Sequence, residues 1–224
     1  MRYRRIDADR KSIGIQVVYP GDIIIRAPEE ISSEKIQETI ENKKDWIKEK
    51  QQFFRNREKA TDYEFYDGEK FPYMGRWYRL KIRKGEPSLK FYQGKFLARS
   101  TSKNDDKTRT RELRPLFLRW YNQRAENSLV KLAKKQAYIF EKDIKVNIYD
   151  LKISWGYSKQ GKIFLNWRLI MAPKDIQKYV ITHELLHQDF SKHGKEFWNR
   201  LDSYVPKRKE HEDWLQKYGK RLDV

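Results

Sequence analysis

Short apolar runs alternate with polar ones through the first hundred residues. In KSIGIQVVYPGDIIIRAP, Ile13, Ile15 and Val17 share one side of an extended chain. Pro20-Gly21-Asp22 supplies a turn and Ile23, Ile24 and Ile25 resume, which predicts a hairpin. The period then lengthens. SSEKIQETIENKKDWIKEKQQFF opens on the capping residues Ser32 and Ser33, puts Glu34 in a first turn, and sets Ile36, Ile40, Ile47 and Phe54 on one face, predicting a helix. Glycine-punctuated aromatic segments follow, FYDGEKFPYMGRWYRLKIRKG and SLKFYQGKFLAR, and these predict further antiparallel strands. Their Tyr and Trp side chains suit a sheet core better than a nucleobase platform.

Residues 100–112, STSKNDDKTRTRE, are almost without apolar side chains and predict a boundary. Beyond them LRPLFLRWYNQRAENSLVKLAKKQAYIF places Leu116, Trp120, Leu129, Leu132 and Tyr138 at helical spacing. Short strands are predicted at IKVNIYD and LKISWGY, and a longer one in GKIFLNWRLIM, where Ile163, Leu165, Trp167 and Leu169 alternate with Phe164, Asn166 and Arg168. Pro173 suits the first turn of a last helix, PKDIQKYVITHELLHQDF. The expected architecture is α+β. It has an antiparallel β-rich N-terminal region with one helix over residues 1–104, and a second domain over 105–224 in which the last helix packs on a small sheet.

Composition narrows the classes. Of 224 residues, 38% are apolar and 37% charged, but 32 are Phe, Trp or Tyr, which gives efficient burial and predicts a folded chain. No apolar run approaches the roughly 20 residues of a membrane helix, and the first residues lack a secretory core, so a cytoplasmic location without membrane attachment is expected. Without cysteine there is no disulfide and no thiolate metal ligand. A net charge of +18 favours a polyanion, nucleotide or nucleic acid, as a partner.

Three of the four histidines fall in THELLHQDFSKHGKEFW. Ile176, Val180, His183 and His187 follow one another at steps of four, three and four, so the two histidines continue an apolar helix face and converge on one point. Glu184 sits beside them, where it reaches a water rather than the ion. That is the division of labour of a zinc hydrolase: Zn2+ lowers the pKa of its water to about 7 and a carboxylate takes the proton. A third ligand is required. His193 lies about 600° of rotation past His187 on an unbroken helix, so the helix must end between them. Asp189 and Glu196 compete with His193, and imidazole is the commoner ligand. His211 has no ligand partner nearby in sequence and reads as a surface residue.

Beyond this motif the sequence resembles the YgjP-like metallopeptidase family, related to the SprT-like proteases among the zincins. RKSIGIQVVYPGDIIIRAP with DWI, YMGRWYRL, GKIFLNWRLIMAP running into YVITHELLH, then SKHGKEFW and VPKRKEHEDWL, are each similar to a family segment. Together they span nearly the whole chain. The resemblance implies a zincin-like fold, His183, His187 and His193 as metal ligands and Glu184 as catalytic base. It departs at ISWGYS: the family pattern S-R-W-G-S-C is met only at Trp155 and Gly156, with Ser154 for its arginine and Tyr157-Ser158 for its Ser-Cys.

The expected activity is a zinc metallopeptidase acting on a peptide or protein, with strand Ile163–Met171 pairing an extended substrate and Tyr204, Tyr157 or Arg168 stabilising the oxyanion. Two alternatives use the same residues: a metal-dependent phosphohydrolase of nucleoside triphosphates, and a basic nucleic-acid-binding protein whose metal is structural.

Overall fold

A computed structural model describes residues 2–7, 12–18, 22–58, 63–151 and 154–224, without the side chains of 18, 53–58 and 220. The Pro20-Gly21 turn, residues 152 and 153 of the expected LKISWGY strand, and the Phe54 side chain lie outside the described residues. The chain divides into two compact units, Met1–Ala60 and Thr61–Val224.

In the first unit, β1 (Arg4–Asp7), β2 (Gly14–Val18) and β3 (Asp22–Ala27) form a sheet of order β1-β3-β2. β2 and β3 pair antiparallel as the hairpin pattern predicts, whereas β1 joins β3 in parallel. Arg5 holds the exit of β3, donating to the carbonyls of Pro28 at 3.2 Å, Glu29 at 2.8 Å and Ile31 at 3.1 Å. The single expected helix is two, α1 (Ser33–Asn42) and α2 (Lys44–Glu58). Ser32 caps the first, and Lys43 breaks the run at φ −112°, ψ 12°, its N–H turning back to Ile40 and Glu41. Ile36, Ile40 and Ile47 still reach one small core with Val17, Ile23 and Ile25.

The second unit is built around α3 (Asp106–Ile139). On it packs a four-stranded sheet, β4 (Lys70–Tyr73), β5 (Arg76–Lys84), β6 (Ser88–Tyr92) and β7 (Lys95–Ser100), in the order β4-β5-β7-β6. The pairing is antiparallel except between β5 and β7, because the chain leaves β5 for the far edge and returns as β7 between the two. Phe71, Phe96, Phe117, Trp120 and Tyr121 interlock beneath this sheet, with Phe71 stacked 4.2 Å from Phe117. Strands 70–100 therefore share their core with α3, and the compact unit begins before them rather than at residue 105. The polar stretch near residue 105 is a tight junction. Ser100 Oγ and the Thr101 N–H donate to Glu112 at 2.7 and 3.0 Å, and Arg109 donates to the Phe65 carbonyl at 3.0 Å.

A three-stranded sheet completes the unit: β8 (Lys145–Tyr149), β9 (Gly156–Lys159) and β10 (Lys162–Asn166), in the order β8-β10-β9. The strand expected through Met171 stops at Asn166 and curls into a 3-10 turn, Trp167–Met171. Asn166 causes the change. Its side chain accepts from the Arg168 N–H at 3.2 Å and donates to the carbonyls of Leu151 and Ser154 at 2.8 and 3.0 Å. The β4–β5 turn docks on this segment: Met74 and Gly75, at φ 51° and 79°, donate to the carbonyls of Ile170 and Met171. A β-carbon on Gly75 would lie 2.8 Å from Pro173 Cα, so YMGRWYRL and LIMAP meet where only glycine fits. After Pro173 come α4 (Lys174–Leu186), α5 (Lys195–Tyr204) and α6 (Arg208–Tyr218). Among the described residues there is no helix long and apolar enough to cross a membrane.

Candidate metal centre

Ile176, Val180 and Ile181 anchor α4 in the core, and the helix carries His183 in its last turn. It ends at Leu186, with His187 as its C-cap. The break required between His187 and His193 is therefore present, and the chain turns back so that His193 precedes α5 by two residues. Phe190 supplies both sides of this exit. Its N–H bonds to the Leu186 carbonyl, and its own carbonyl lies 2.8 Å from His187 Nδ1.

The three Nε2 atoms form a nearly equilateral triangle: 3.2 Å from His183 to His187, 3.0 Å from His183 to His193 and 2.9 Å from His187 to His193. Among the described residues this is the group of His, Asp or Glu able to hold one metal ion. With its Nδ1 proton donated to the Phe190 carbonyl, His187 is held in the tautomer whose Nε2 can offer a lone pair to a cation. Burial and the two other imidazoles push His183 down to about 3, so its ring is neutral. Its Nδ1 is buried without a partner. Three nitrogens this close cannot satisfy one another through protons, whereas a cation accepts all three. Adjacent corners around a tetrahedral ion with nitrogen at 2.0–2.1 Å lie about 3.4 Å apart, so the donor set fits such an ion with little adjustment.

Two aromatic residues missed in the sequence reading support the triangle. Phe197, fully buried on α5, has its ring 4.8–5.0 Å from all three imidazoles. Trp198 stacks on His193 at 5.2 Å and 25°. Arg208 lies over the Trp198 ring at 4.5 Å and is fixed by Asp202 and Glu212, and Glu212 accepts in turn from the Tyr179 hydroxyl. The local signal for both rings is the spacing in HGKEFW, four and five residues past His193, which puts them on the first turn of α5 beneath the ligand.

Glu184 is 6% exposed on the opposite side of α4 from solvent, and desolvation alone raises its carboxyl to about 8. One of its oxygens has no hydrogen-bond partner. It rests on the backbone of Gly156, the first residue of β9, where a β-carbon would meet Glu184 Cγ at 2.8 Å and Oε1 at 3.1 Å. This contact, across 28 positions of sequence, accounts for the glycine in ISWGYS. The departing residues of that segment are engaged: Ser154 through its carbonyl with Asn166, Ser158 Oγ with the Gln188 side chain, and Tyr157 stacked on Phe164 at 4.4 Å.

The other sequence candidates lie elsewhere. Asp189 is ion-paired with Lys142, and Glu196 is exposed in the first turn of α5. Arg168 is buried between Asp150 and Asp223 and stacks on Trp167, which makes it a structural cation. Tyr204 packs on Phe140. His211, expected at the surface, is half-buried beside Tyr179.

No curated protein and no solved structure matches the chain. The family model described as the YgjP-like metallopeptidase domain matches residues 11–218, which include every element from β2 to α6 and all of the residues around the triangle. Membership of such a family implies a hydrolase that uses a metal ion, in keeping with the converging imidazoles. Matched over all but sixteen of its 224 residues, the chain belongs to the YgjP-like metallopeptidase family.

Proposed function

We propose that the chain is a zinc-dependent peptidase in which His183, His187 and His193 hold the ion and Glu184 is the general base. The observation that carries this reading is the triangle of Nε2 atoms 2.9–3.2 Å apart with a desolvated carboxylate on the same turn of helix. Bound zinc lowers the pKa of water and polarises a carbonyl. The protein's own part is proton handling and positioning. Glu184, desolvated one residue past His183, is positioned to take a proton from water and return it to the leaving amine, and a cation held by the neighbouring imidazoles would favour its charged form. His187, tied to the Phe190 carbonyl, and His193, stacked on Trp198, keep their lone pairs aimed inward.

The substrate strand differs from the expected one. β10 is flanked by β8 and β9 on both sides and has no edge to offer. β9 is the edge strand whose first residue touches Glu184, so an extended peptide adding to β9 runs past the base.

An unbiased peptide mixture is the test. Glu184→Gln should lower cleavage by about 10²–10⁴-fold while metal content stays at that of the wild type. Cleavage unchanged in that variant would reject Glu184 as the base. Loss of nucleoside triphosphate hydrolysis, with no peptide cleaved by either protein, would assign the site to phosphohydrolysis instead.

A further inference from the structure

The four-stranded sheet has one face on α3, and its other face is a basic groove. Along β5 the inward residues Leu80 and Ile82 alternate with exposed Lys81 and Arg83. β7 buries Phe96 and Ala98 and turns Lys95 and Arg99 outward, and β6 turns out Ser88, Lys90 and Tyr92. Register aligns these into rows across the sheet. Lys81 faces Leu97, which faces Lys90. Arg83 faces Arg99, which faces Ser88, and Lys95 faces Tyr92.

With Lys103 at its rim, the face encloses a groove of about 800 Å³. The single carboxylate lining it, Asp67, is occupied by the Ile82 N–H at 2.8 Å and by Lys81 at 3.5 Å. Among the described residues, no other cation of the groove forms an ion pair. Like charges directly opposite one another destabilise a sheet, as Arg83 and Arg99 are here. An anion lying between the two guanidinium groups would neutralise this repulsion.

We propose that this face binds the sugar-phosphate backbone of a single-stranded nucleic acid. Outward residues two apart on one strand repeat at roughly 6.6–6.8 Å, giving parallel lines of cations along which an extended polyanion can lie. The concave shape suits a strand rather than a membrane surface. Tyr92, 56% exposed beside Lys90 and Lys95, offers a base a ring to stack on. The groove is formed by residues 67–103 and includes none of the three histidines, so the inference stands independently of the proposed peptidase activity.

The test is fluorescence anisotropy of a labelled oligothymidylate of about 20 nucleotides with the full chain, titrated at several salt concentrations between roughly 50 and 200 mM. Binding should weaken with salt. The variant R83S/K90S/R99S should lower the slope of log K against log salt by about 2, from roughly 0.7 per lost phosphate contact. Tyr92→Ala should weaken binding about 5- to 100-fold with the slope retained. Because the serines relieve repulsion, the triple variant should melt no lower than wild type, which separates lost binding from lost fold.

A control, K131S/K134S/K135S, removes the same charge from exposed positions of α3. An equal loss in that control would overturn the proposal, reducing it to net charge alone. So would an absence of oligonucleotide binding, or retention by phosphatidylserine vesicles in its place.

Discussion

Glu184 and Gly156 are in contact through a space that admits no β-carbon: one built on the glycine would stand 2.8 Å from Glu184 Cγ. The carboxylate is thus positioned by the absence of a side chain on the neighbouring strand. Gly156→Ala should displace it and lower kcat/KM by about 10²-fold, the cost of a shift near 1 Å at a reacting group. Metal content should be unchanged. Wild-type turnover in that variant would show that the contact does not hold the base in place.

The metal should respond in graded fashion to the shells around it. Wild-type protein is expected to carry about one metal per chain. Trp198→Ala, which removes the stack under His193, should weaken metal affinity about 10- to 100-fold, as loss of an outer partner does. His193→Ala should weaken it further than that. Competition with a coloured chelator measures both, and an intact site in His193→Ala would return the third position to another residue.

Burial of Glu184 gives metal-free protein a pH signature. Its carboxyl sits near 8 in the fold and near 4.3 in an unfolded chain, so between those values the folded state binds the extra proton. The contribution is fully present below the unfolded value and is lost as pH rises through about 8. In chelator, Glu184→Gln should therefore melt close to wild type at pH 5 and several degrees above it at pH 8. A difference independent of pH would mean that the carboxylate is solvated.

Asn166 ends β10 and binds three backbone groups. Asn166→Ala should cost about 2–4 kcal/mol, from two hydrogen bonds near 1 kcal/mol each and a cap. Denaturant unfolding followed by Trp fluorescence reads this directly. A change under 1 kcal/mol would assign the turn to the packing of Trp167 and Leu169 alone.

α4 was legible because Pro173 stands at its N-cap and Ile176, Val180, His183 and His187 repeat on one face. The same apolar reasoning failed from Trp167 to Met171, where all five residues are buried. With both faces covered, alternation no longer distinguishes strand from 3-10 turn, and a single side-chain amide decides. Near residue 105 the polar residues do not mark a loose linker: Ser100 and Arg109 are buried and, with Glu112, stitch the strand end to α3. Gly156 carried no local signal for its role, since the group it accommodates is 28 residues away. His183, His187 and Glu184 were legible together because helical period and chemistry agree, whereas the place of His193 depends on a helix end that period cannot give, and the packing of Phe197 and Trp198 on how α5 returns.

The opposed cations on the outer face of the β5-β7-β6 sheet make the protein's response to ionic strength two-sided. Added salt screens Arg83 from the Arg99 opposite it, so the melting temperature should climb with sodium chloride. The same screening loosens any anion held there. One set of charges thus sets a trade between robustness and grip, and in dilute buffer the sheet is at once least stable and most adhesive.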